Sequence, residues 1–267
     1  MPDLPEGAAL GVETVRQVAI WDLPTRVFHW LLVVAVALSY ATGGEEGRWF
    51  TVHVLSGYAV AALLAFRLVW GFIGSRHSRF ADFVYGWRRV RDYAGALLRR
   101  KHPHFVGHNP LGGWMVVTMI VVLAGSVVTG LVAGEPGEAA GPLLGVLMAP
   151  SSGEAVAEVH EVLGNLVLAL AVIHIAALFL DWTLTGENLI PAMVHGDKTL
   201  DEDAAAQEPP TAGRGRGLAL ALAIGGLLAV AIQQTDFASL AGSGEAAEHD
   251  GRGPSSGGEG DHEEGDD

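Results

Sequence analysis

Four of the eleven histidines stand in long apolar blocks: His29, His53, His160 and His174. An imidazole there is costly to keep and is by default a functional group with a partner to be named. The stretch "EVHEVLGNLVLALAVIHIAALFLDW", residues 158–182, holds two of them fourteen residues apart. On a helix that spacing is about 21 Å of rise and roughly 1,400° of rotation, within about 40° of whole turns. His160 and His174 therefore share one face at two depths. His53 opens its block in "TVHVLSGY" and His29 opens another after "WDLPTRVF", so each depth has one mate: His53 for His160, His29 for His174. Two facing neutral imidazoles suit the two axial positions of a haem iron, and burial favours the neutral ring. Zinc would need further ligands, and only Glu158 and Glu161 stand nearby. A neutral ring bonded to a neighbouring carbonyl is the ordinary alternative for any single histidine. Four in two matched pairs favour two stacked haems over a histidine-lined metal transporter. The chain has no cysteine, which excludes thiolate-held iron–sulfur clusters and covalent c-type haem attachment. The haems expected are of b type.

The elements that must carry these side chains are membrane helices. A bilayer-spanning helix needs about 20 apolar residues. Blocks of that kind run over 27–42, 51–73, 112–133 and 156–182, and a shorter one, "GLALALAIGGLLAVAI", begins a fifth at 217–233. The fold expected is an all-α integral membrane protein, a four-helix haem-binding bundle plus a fifth transmembrane helix. The 26 mixed residues before the first block carry no small-residue cleavage site and do not read as a removable leader.

Eight of the 16 Lys and Arg lie between the second and third blocks: Arg76, Arg79, Arg88, Arg89, Arg91, Arg99, Arg100 and Lys101. The positive-inside rule makes that loop cytoplasmic, which puts the N-terminus inside and the C-terminal tail outside. The tail from Gln234 holds ten acidic residues against one Arg, within a formal net charge of −14. Its Gly and Ser content predicts disorder, and its charge could steer a basic redox protein. The segments expected are an N-terminal stretch 1–19, a haem-binding domain 20–198, a flexible linker 199–216, the fifth helix 217–233 and an acidic tail 234–267. "PLLGVLMAP", 142–150, is a weak candidate for dipping into the outer interface.

Around the histidines, Gly57 and Gly164 each follow a ligand candidate by four residues and would leave room for a porphyrin; plain helix packing explains such glycines equally well. Arg26 and Arg67 at the inner level and Arg48 at the outer are candidate partners for haem propionates, with interfacial snorkelling as the alternative. Thr51, Ser56 and Asn165 are candidate hydrogen-bond donors near the rings, or else bond ordinary backbone. The loop histidines His77, His102, His104 and His108 are expected to face water, though their clustering would suit proton or quinone handling.

"AIWDLPTRVFHW", "HVLSGYAVAALLAFRLVWGFIG", "GHNPLGGWM" and the two-histidine fourth block resemble the prokaryotic cytochrome b561 family, over residues 18 to about 198. The resemblance implies a four-helix core with two b haems, paired as above. It implies an electron-transfer subunit of a bacterial inner membrane, rather than a self-sufficient enzyme, working between a periplasmic c-type cytochrome or redox-enzyme subunit and membrane quinone. Nucleic acid is not an expected partner. His108 and Asn109, in "HNPLGG", become quinone candidates by the same resemblance. A stand-alone superoxide–quinone oxidoreductase of related fold is the enzymatic alternative.

Overall fold

The computed structural model describes residues 15–45, 47–99, 101, 103, 105–134, 152–209 and 214–235. The expected helical membrane bundle forms, with five helices among the described residues long and apolar enough to cross a bilayer. They are α1 (Leu23–Thr42), α2 (Arg48–Ile73), α5 (Pro110–Gly130), α6 (Gly153–Thr185) and α9 (Arg214–Gln233). Shorter pieces sit outside them: α3 (Phe80–Phe83), α4 (Trp87–Leu98), α7 (Ile190–His195) and α8 (Glu202–Ala206). Local chemistry sets the starts. Asp22 caps α1 by accepting from the Thr25 amide at 2.7 Å, Asn109 caps α5 by accepting from Gly112 at 2.8 Å, and a proline stands in the first turn of each. The stretch 142–150 lies outside the described residues.

α1 packs closely on α2, α5 on α6, and α2 joins the two pairs. α6 makes no comparable contact with α1 or α2. The helices meet at one apolar layer, Ala35, Val60, Leu64, Leu123 and Val167. Val167 stands seven residues from both His160 and His174, so this layer separates the two histidine levels. Most other large side chains of the five helices point outward, as a lipid-facing surface requires. α9 lies against α2 and α1, with Leu220 and Ile224 on the buried Phe28, Phe66 and Trp70. Beyond its end, Thr235 shares a 2.8 Å hydrogen bond with the Tyr58 hydroxyl.

Two segments differ from expectation. Residues 15–19 form a strand, β1 (Val15–Ala19), paired antiparallel with β2 (Asp197–Asp201), Gln17 opposite Thr199. The stretch expected as an open linker from 199 is therefore ordered at its start: β2 runs straight into α8, and Glu208 then pairs with His77 at 2.8 Å and Arg76 at 3.4 Å. No local signal marks this, because the paired residues, such as Gln17 and Thr199, lie on opposite sides of the four-helix unit in the chain. Gly196 makes the junction possible. Its φ is +96°, a Cβ there would meet the Trp21 carbonyl at 2.9 Å, and its own carbonyl accepts from the amides of Ile20 and Trp21.

At the same end, Asp22 ties α1 to α2. Its buried carboxylate accepts from Trp70 Nε1 at 3.1 Å, from Ser78 Oγ at 2.9 Å and from Ser75 Oγ. The Arg67 guanidinium, also buried, donates to the Ser78 carbonyl at 3.0 Å and attracts Asp22 electrostatically. Burial alone would raise the Asp22 pKa, but the hydrogen bonds from Ser75, Thr25 and Ser78 outweigh it and hold it below the ordinary value.

Candidate functional site

His53, in the second turn of α2, and His160, in the third turn of α6, face each other with ring centroids 5.9 Å apart and planes at 88°. Both rings are held the same way. His53 Nδ1 lies 2.8 Å from the Ser39 carbonyl of α1, and His160 Nδ1 lies 2.8 Å from the Ser126 carbonyl of α5. A carbonyl only accepts, so each Nδ1 carries the proton and each Nε2 keeps its lone pair. Thr129 Oγ1 stands 3.3 Å from the same His160 nitrogen, and Phe50 stacks beside His53 at 6.0 Å. Backbone-anchored imidazoles with a free Nε2 are the usual form of metal-ligating histidine. Two metal–imidazole bonds of about 2 Å would put the nitrogens about 4 Å apart and the centroids roughly 2 Å further, close to the separation seen here. The pair fits a group with two axial positions.

At the other level, His29 and His174 lie within electrostatic reach of each other. His29 Nδ1 is sealed from solvent without a protein partner among the described residues, as an orphaned ligand nitrogen would be. A Cβ added at Gly57 or at Gly164 would meet nothing within 4 Å, so open space adjoins each.

The glycines that touch the rings are others. A Cβ at Gly43 would meet the His53 ring at 3.2 Å, and one at Gly130 would meet the His160 ring at 2.8 Å. Both end helices, where a glycine reads as a terminator, and the carbonyls of Ser39 and Ser126 leave no trace in residue type. Gly130→Ala should push His160 aside, and a haem bound at that level would then be held about tenfold more weakly, the scale of outer-shell changes. Haem retention during detergent washing checks this, and full retention would refute it.

The remaining candidates scatter. Arg26 Nη1 donates to the Val194 carbonyl at 2.6 Å, while its Nε is buried without a partner among the described residues. Arg48 lies 5.5 Å over the Trp49 ring near the His53 level, and Arg67 is engaged with Ser78, Phe80 and Phe83. Ser56 bonds the His53 backbone carbonyl, and Asn165 accepts from Tyr40 at 3.1 Å. The Asn109 side chain is occupied as a cap.

His77 and His108 do not face water, contrary to expectation; His102 and His104 lie outside the described residues. The loop folds back under the bundle. His77 is buried between Asp82 at 3.0 Å and Glu208 at 2.8 Å. His108 packs its ring at 4.6 Å from Trp21 and 4.7 Å from Phe83, with Nδ1 sealed and without a hydrogen-bond partner among the described residues. Burial, and then the positive charge of the nearby Arg67 guanidinium, pushes its pKa down to about 3. It is a neutral ring near the His29–His174 level.

The sequence model for prokaryotic cytochrome b561 matches residues 20–196, the whole of this four-helix unit. The chain belongs to that family. It is a membrane cytochrome of b type, built to carry electrons. It is 22% identical over 226 residues to the "Probable Ni/Fe-hydrogenase B-type cytochrome subunit" of Rhodobacter capsulatus, covering 72% of this chain and 86% of that one. The protein of the same name from Bradyrhizobium diazoefficiens is 26% identical over 223 residues, covering 71% and 88%. The hydrogenase 1 counterpart of Escherichia coli K12 is 25% identical over 137 residues, 40% of this chain and 57% of that one. No solved structure matches. α9 and the segment carrying Glu208 lie beyond the family match.

Proposed function

We propose that this cytochrome carries electrons across a bacterial inner membrane through two b haems, one held by His53 and His160, the other by His29 and His174. The facing, backbone-anchored pair His53–His160 carries the reading. Bound b haem supplies reversible one-electron chemistry, tuned by its axial ligands, hydrogen bonds and burial. The chain's own contributions are residue by residue. The Ser39 and Ser126 carbonyls orient the rings of one level and raise their basicity. The layer around Val167 keeps the two levels apart and dry. The basic loop 76–101 supports a cytoplasmic placement of the His29–His174 end, with the N-terminus inside and the acidic tail in the periplasm.

The proposed outer partner is a redox-enzyme subunit or c-type cytochrome. The names of the relatives support a nickel–iron hydrogenase as the enzyme class. Membrane quinone is the proposed inner partner, with the unpartnered His108 nitrogen as the side chain available to it. A metal transporter fits less well, since the described residues hold no group of three or more metal-ligating side chains. The test is purification from the native membrane with a haemochrome count. Two haems per chain and a co-purifying redox subunit are expected; one haem or none would sink the proposal.

A further inference from the structure

α4 presents three distinct strips. Val90 and Tyr93 are buried, with the Tyr93 ring 5.5 Å from Phe105. Trp87 and Leu98 are eleven residues apart, within about 20° of three whole turns, so they share one edge. They are 73% and 87% exposed, and Leu98 is the most exposed large apolar residue described. Arg91, Arg88 and Arg99 follow around the helix at roughly 40°, 100° and 120° from Trp87.

The helix is also fixed in depth. Trp114, in the second turn of the membrane helix α5, donates its indole N–H to the Tyr85 carbonyl at 2.8 Å. Gly113 lies so near the Phe83 carbonyl that a Cβ would collide with it. The segment leading into α4 is thus pinned to the first turns of a span, where a span leaves the hydrocarbon. Facing bulk water there, Trp87 and Leu98 would stay solvated for no return.

The charge around them is one-sided. Residues 76–101 carry eight Lys or Arg against Asp82 and Asp92. Asp82 is taken by Arg76 and His77, and Asp92 reaches Arg91, at 3.7 Å. Arg88 and Arg99 have no carboxylate partner among the described residues. An apolar edge beside a cationic strip is the pattern of a helix lying in a membrane interface, with tryptophan at headgroup level.

We infer that α4 lies in the membrane interface at the His29–His174 end, with Trp87 and Leu98 in the headgroup–acyl boundary and Arg88, Arg91 and Arg99 on phosphates of anionic lipids. A docked protein is the rival occupant, and it would leave the edge wet in the isolated chain.

The absence of native cysteine allows a clean test. Full-length, haem-loaded L98C and D92C variants each take one nitroxide label in nanodiscs of phosphatidylglycerol and phosphatidylcholine. The label at 98 should collide mainly with oxygen and the label at 92 mainly with a water-soluble nickel chelate. Equal access of the chelate to both would overturn the interfacial placement. In a second arm, R88Q/R91Q/R99Q should retain at least about tenfold less phosphatidylglycerol relative to phosphatidylcholine by native mass spectrometry, given about fivefold per basic residue at such a surface. Unchanged retention would overturn the headgroup contacts. An unaltered haem spectrum verifies that each variant is folded.

Discussion

Replacing His160 with alanine is expected to remove one b haem and leave the other, cutting the reduced-minus-oxidised absorbance to about half. The ring stands opposite His53 at 5.9 Å and is tied to the Ser126 carbonyl, and among the described residues no third metal-ligating side chain joins the pair. His53→Ala should lose the same haem. The double variant His53→Ala with His160→Ala should then be no worse than either single one, because both remove the same bound group and their effects cannot add. His29→Ala and His174→Ala should remove the other haem, and His160→Ala with His174→Ala should abolish the spectrum. Redox titration distinguishes the levels if their potentials differ, and haem counting does so if they coincide. The pairing is wrong if His29→Ala and His160→Ala remove the same haem. A ligand contributed from outside the chain would instead leave the haem bound with an altered axial spectrum.

How much of this was legible in residue order depends on the range of the interaction. The spans were visible because Val162–Leu180 and its counterparts are almost unbroken apolar runs, and a bilayer imposes a length. The helix starts at Asp22 and Asn109 follow local rules of cap and proline. The pairing of His53 with His160 needed only helix geometry and a count of crossings. What stayed hidden was either backbone or distant. The groups that orient the rings are carbonyls of Ser39 and Ser126, and any residue supplies a carbonyl. The glycines against the rings, Gly43 and Gly130, sit on neighbouring helices, whereas the glycines four residues after His53 and His160, Gly57 and Gly164, face open space. His77 and His108 looked like hydrated loop residues because their polar neighbours are near in sequence, while Glu208 and Trp21, which enclose them, are not. Arg67 had the right depth for a haem propionate, yet its guanidinium is already committed to Ser78 and two aromatic rings.

That commitment leads to the second large effect. Asp22→Ala should destabilise the haem-loaded chain by roughly 3 kcal/mol or more, because several buried donors lose their charged acceptor at about 1–3 kcal/mol each. The carboxylate accepts from the Thr25 amide, the Trp70 indole and the hydroxyls of Ser75 and Ser78, and alanine leaves these donors without it. It also removes the charge that attracts the buried Arg67. Asp22→Asn keeps an oxygen for the Thr25 amide and lets the hydroxyls rotate, so about 1–3 kcal/mol is expected there. The two variants separate charge from hydrogen bonding. Because the folded Asp22 pKa lies below its ordinary value, the unfolded chain binds the proton more readily. The wild-type contribution is therefore complete above the ordinary carboxylate range and is lost as pH falls through the lowered value. Thermal unfolding followed by haem absorbance should show Asp22→Ala melting earlier. Asp22 caps the helix that presents His29 seven residues on, so the haem of the His29–His174 level should leave first and that of His53–His160 later. Simultaneous loss of both, or a melting temperature within a degree of the wild type, would show that the Asp22 cluster does not anchor that level.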